Sequence, residues 1–249
     1  MNSSARSNWL IPTGLLALSA VPALAGSLRL AEIASGGHVM PDSVRMASAP
    51  VPVTVHIVSV TVFSVLGAFQ FAPRVRRRRR GWHRVTGRVL VPCGLLAALS
   101  GLWLTLFLPR AALDGDVLEA VRVVGAAMST SLIVGFVAIR RRDFARHRAW
   151  MIRGYAIGMG AGTQFFTNTA WLLAVGPLTM SSKTATMAAG WLINVVVAEW
   201  IIRRRPARTI RRPAPVASVL GERPVVATVT SRPVPNGTAS IGRSARRAR

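Results

Sequence analysis

Acidic residues are nearly missing from this chain: 8 Asp and Glu stand against 32 Lys and Arg in 249 residues, a formal charge of +24. Carboxylate acid–base chemistry therefore has few candidates, and within the apolar part of the sequence only Glu119 and Glu199 offer themselves. Cysteine is nearly missing too. The single Cys93 lies inside an apolar run, which excludes an intrachain disulfide and leaves a small packing residue. There is no G-x-S-x-G, no Walker loop and no H-E-x-x-H, so the familiar soluble-enzyme constellations do not occur and no catalytic residue is assigned. Helix-turn-helix, finger and base-stacking motifs are also missing, and the arginines do not share a polar surface with base-reading residues. We expect no nucleic-acid partner.

What is present is long apolar runs separated by arginine clusters, with hydrophobic residues making up 51% of the chain. That alternation is the pattern of a polytopic membrane protein. It predicts an all-α transmembrane bundle of six spans, at about 9–27, 51–71, 83–108, 117–139, 149–175 and 184–202. Residues 1–8 form a short N-terminus. The first run, with Arg6 before it and Ala23-Leu24-Ala25 after it, reads either as a cleavable signal peptide or as a retained span. Five consecutive arginines, Arg76 to Arg80, and a second cluster, Arg140 to Arg142, fall in alternate connections, as does the stop at Arg203 to Arg205. The positive-inside bias then puts all three, and both termini, on the cytoplasmic side of the membrane. Residues 203–249, rich in Arg, Pro, Ser and Thr and without apolar periodicity, are expected to be a disordered basic tail. The lipid bilayer is the implied partner, with anionic headgroups at the basic loops and tail. Trp9, Trp82, Trp150 and Trp200 near the inner boundary suit an aromatic belt there.

Histidine is the most informative chemistry. His83 and His147 stand at the cytoplasmic start of two spans that run in the same direction, so they share a depth. Glycines continue from each along the same helix side: Gly87, Gly94 and Gly101 after His83, and Gly154 and Gly158 after His147. Two imidazoles at one height beside smooth helix faces meet the needs of a single b-type haem, with His83 and His147 as ligands to its iron. Arg84, Arg88, Arg148 and Arg153 are then suited to the haem propionates, Arg88 and Arg153 foremost. The alternative is structural: histidine beside arginine binds lipid phosphate or caps a helix, and glycine stripes pack helices. His56, on another span, has no histidine opposite it except His38 in a loop, and reads as an interhelical hydrogen-bonding group. Glu119 is spaced to pair with Arg122, and Glu199 with Arg203. A competing function is a small-solute or lipid-handling transporter whose path is lined by Gln164, Asn168, Asn194 and Arg122; a non-catalytic interaction role is a third.

Three motifs, GAFQF (Gly67 to Phe71), HxxxGR (His83 to Arg88) and HRAWMIRGYA (His147 to Ala156), resemble the pattern of domain-of-unknown-function family 2306. The likeness runs from about Pro50 to Arg203 and implies a multi-span bacterial membrane protein of unassigned activity. A weaker likeness, to the b-type membrane cytochromes, lies in H-x-x-x-G at a helix start. The chain departs from the two-haem members of that group in lacking histidines on four successive spans.

Overall fold

The computed structural model describes residues 3–72, 80–111 and 114–204. Most of the Arg76–Arg80 run and the expected basic tail lie outside these. The described residues form eight α-helices and no strand: α1 (Ser3–Ser35), α2 (Ser43–Ala47), α3 (Pro50–Gln70), α4 (Arg80–Phe107), α5 (Val117–Arg140), α6 (Phe144–Gly158), α7 (Gly160–Ala174) and α8 (Met180–Arg203). Five of them, α1, α3, α4, α5 and α8, are long and apolar enough to cross a membrane. Apolar side chains such as Leu99, Leu173, Leu192 and Val196 are exposed on the outer surface, where hydrocarbon replaces water as the solvent.

Helices adjacent in sequence pack together: α3 on α4, α4 on α5, and α5 on α6. Helix α1 lies against α3 and α7, and α8 against α6 and α7. Because lipid gives helices no hydrophobic reason to associate, close approach at small residues holds such a bundle. Leu132 of α5 and Phe63 of α3 are buried at its centre with Met128, Tyr155 and Met159. A methyl group at Gly94 of α4 would come within 2.7 Å of both Leu132 and Phe63, and one at Gly158 within 2.8 Å of Phe63. Tyr155 fixes α6 to α3: its hydroxyl donates to the Ser64 carbonyl at 2.7 Å, and its ring lies flush on Gly67.

The expected fifth span is not one helix. It is broken at Met159 into α6 and α7, each of 15 residues. Gly158 and Gly160 flank the break and weaken the helix there. The packing also differs on its two sides: Gly158 meets Phe63 of α3, whereas Gly160 lies on the Trp191 ring of α8 and Gly162 on the Leu18 carbonyl of α1. The two half-helices thus answer to different neighbours. The first helix also departs from expectation, running to Ser35 instead of ending near Ser27. Glu32 becomes a buried carboxylate in its last turn, accepting from the Val39 and Met40 amides at 2.5 and 2.7 Å and from Ser43 at 2.7 Å.

The end away from the arginine clusters is closed by Asp114. Its carboxylate accepts from the Ala111 amide at 2.7 Å, from Arg45 at 3.0 Å and from Lys183 at 3.4 Å, tying α2, the α4–α5 connection and α8 together. Burial alone would raise this carboxyl, but the amide and the two cations outweigh it and hold its pKa below the ordinary carboxylate value.

Candidate functional site

At the opposite end, where α3 finishes and α6 begins, α4, α5 and α6 enclose a cavity of about 760 Å³. That volume lies within the roughly 300–1,000 Å³ usual for small-molecule and cofactor sites. Both histidines singled out from the sequence, His83 of α4 and His147 of α6, line it. Arg84, Arg88 and Arg140 line it as well, and among the described residues no carboxylate does. Its deeper wall is apolar, built from Leu90, Val91, Leu95, Ile133, Phe136 and Met151. The cavity is therefore amphipathic: a cationic rim over a greasy interior.

His147 is oriented by its own backbone surroundings. Its Nδ1 lies 2.8 Å from the Gly135 carbonyl of α5, which favours the tautomer with the proton on Nδ1 and leaves Nε2 with a lone pair. A ring nitrogen donating to a backbone carbonyl is the usual outer support of a metal-ligating histidine. Asp143 caps α6 by accepting from the Arg146 amide at 2.9 Å, which fixes the turn from which His147 rises. On α4, Gly87 follows His83 by one turn, and a methyl group placed there would meet nothing within 4 Å.

The other glycines do not border the cavity. Gly94, Gly154 and Gly158 are filled by Leu132 and Phe63, and Gly101 by the His56 ring. Most of the two smooth helix faces therefore packs helices, and only Gly87 opens a surface for a ligand. Arg153 also differs from expectation. It is not in the cavity lining but forms a two-pronged pair with Glu199 of α8, Nε to Oε1 at 2.5 Å and Nη2 to Oε2 at 3.1 Å, while lying over the Trp150 ring at 4.8 Å. Arg203, the partner expected for Glu199, stands farther off at 3.8 Å.

Two polar lining residues carry no ligand signal in the sequence: Arg140 marks topology there and Gln70 belongs to the GAFQF motif, and the cavity uses both. Elsewhere the reading matches: His56 Nδ1 lies 3.0 Å from the Ala97 carbonyl and 3.1 Å from the Ser100 hydroxyl, and Arg122 pairs with Glu119 while also donating to the Thr105 carbonyl at 2.8 Å. The polar residues considered for a transport path are engaged between helices. Gln164 donates to the Met187 carbonyl at 3.1 Å, Asn168 accepts from Thr186 at 2.5 Å, and Asn194 accepts from Thr163 at 2.9 Å. Among the described residues no three of His, Cys, Asp and Glu gather into a metal cluster.

The long apolar helices, the exposed apolar surface and the cavity recessed among the helices define a multi-pass α-helical membrane protein. The model of a family described as predicted membrane protein (DUF2306) matches residues 53–202, and the chain belongs to that family. No curated protein and no solved structure matches the chain.

Proposed function

We propose that this membrane protein binds one b-type haem in the α4–α5–α6 cavity, where His83 and His147 would hold its iron, and acts as a redox component. The observation that carries the reading is one cavity bounded, among the described residues, by both histidines, by three arginines without a carboxylate, and by an apolar wall. An occupant matching these surfaces has a flat apolar body and an anionic edge. Haem has both, and its iron would supply one-electron transfer. The residues of the chain then divide the work. His83 and His147 would hold the iron, Arg84, Arg88 and Arg140 would neutralise the propionates, and Leu95, Ile133 and Phe136 would keep water from the ring.

On this reading the arginine-rich end faces the cytoplasm of a bacterial inner membrane. The experiment is purification of the detergent-solubilised chain from cells supplied with haem precursor. The wild type is expected to carry a Soret band that His83→Ala and His147→Ala each weaken and shift. A colourless wild type, or a band indifferent to both substitutions, ends the proposal. A reporter joined after Arg142 is expected to be active only in its cytoplasmic form.

A further inference from the structure

We infer that the groove where α5 turns into α6 is a site for one anionic phospholipid, recognised by Arg141 and Arg146 together with the apolar side of α5. The groove measures about 310 Å³, and of its lining residues only Ile133 also borders the larger cavity. The inference therefore stands or falls independently of haem. Ile133, Val134 and Val137 of α5 make the apolar wall, and Arg141, Asp143 and Arg146 make the mouth. From Ile133 to Arg141 is about 12 Å along a helix. The groove thus runs from the apolar part of a helix long enough to cross a membrane to that helix's charged end.

A tight turn brings the two arginines to one groove. The Arg141 and Asp143 amides donate to the Val137 and Ala138 carbonyls at 3.0 and 2.9 Å, and Arg142 takes a left-handed φ of 61° as the chain reverses. Arg142 itself is not part of the lining. Arg29, Arg45, Arg122 and Arg153 each meet a carboxylate, whereas Arg141 and Arg146 form no ion pair among the described residues. Asp143, the carboxylate at the mouth, already accepts the Arg146 amide through Oδ1 at 2.9 Å as the cap of α6. Two guanidiniums against one carboxylate leave the mouth cationic. At the end of a membrane-crossing helix the abundant anions are phospholipid headgroups, whose phosphates suit arginine and whose acyl chains suit the apolar wall. A soluble anion would make no use of that wall, and a zwitterionic lipid would leave the charge uncompensated.

The test titrates the detergent-purified full chain with phosphatidylglycerol or with phosphatidylcholine and counts bound lipid by native mass spectrometry. The wild type is expected to retain one phosphatidylglycerol in preference to phosphatidylcholine, and excess inorganic phosphate should not displace it. Arg141→Gln and Arg146→Gln should each bind it at least roughly tenfold more weakly, the low end for a lost hydrogen bond to a charged group. Arg142→Gln removes the same charge beside the groove and should cost less than about fivefold, as a surface charge does. Val137→Trp keeps every charge but fills the groove, and should abolish the preference. Val137 is exposed, so this variant is expected to melt as the wild type does in lipid-free detergent. Should it melt lower, the comparison of Arg141→Gln with Arg142→Gln decides. Equal weakening by Arg142→Gln, undiminished binding in a stable Val137→Trp, equal retention of phosphatidylcholine, or displacement by phosphate each overturns the inference.

Discussion

Gly87 and Gly94 lie two turns apart on α4, and the same substitution at each is expected to give opposite results. A side chain at Gly87 opens into the cavity, with nothing within 4 Å of its first carbon, whereas the first carbon at Gly94 would already be 2.7 Å from Leu132 and Phe63. Ordinary carbon–carbon contact is about 3.5–4.0 Å, so Gly94→Leu must displace two of the most buried side chains in the bundle before its own branch is placed. Replacing a helix-interior glycine by leucine gains about 0.8 kcal/mol in propensity at either site, so the difference between the two variants isolates packing. Overpacking a filled core costs about 1–3 kcal/mol, and each kcal/mol moves a midpoint by roughly 2–4 °C in a chain of this size. Net of that gain, Gly94→Leu is expected to melt below wild type in detergent, by up to about 9 °C, with its monodisperse fraction reduced. Gly87→Leu is expected to melt at or above wild type while losing hemin binding, because its side chain enters the space the ring requires. Equal destabilisation by the two, or wild-type hemin affinity in Gly87→Leu, would refute the reasoning.

Two further outcomes follow from the ion pairs. Because Arg153 is held by Glu199 outside the cavity, Arg153→Ala is expected to leave the Soret band unchanged, and a double-mutant cycle with Glu199→Gln should give a coupling of about 1 kcal/mol, modest because both groups are partly exposed. Asp114 has a folded-state pKa below its unfolded value of about 3.9, so its contribution is present in full above that value and is lost as the pH falls through the depressed one. Asp114→Asn is accordingly expected to lower the melting temperature at pH 7, and the gap to wild type should close as the pH is taken below about 4; a gap that persists in strong acid would contradict this.

Much of the bundle is legible in one dimension. Long apolar helices separated by arginine clusters follow from hydropathy, and the cavity lining includes both histidines singled out there. What cannot be read this way is which neighbour each face meets. Gly87 and Gly94 look alike in sequence and differ only because Leu132 and Phe63 reach one of them. Arg153 and Arg203 are both near Glu199, and spacing along α8 favours Arg203, but the crossing of α6 over α8 brings Arg153 closer. The break at Met159 is hidden for the same reason, since Trp191, Leu18 and Phe63 come from three other helices.

The most direct measurement is the coordination state of the iron in the purified chain, read by resonance Raman spectroscopy. With His83 and His147 both ligating, the wild type is predicted to show six-coordinate low-spin haem, and each single alanine variant, reconstituted with hemin, the five-coordinate high-spin form. A five-coordinate wild type, or a six-coordinate spectrum that survives removal of either histidine, would contradict a haem held between α4 and α6.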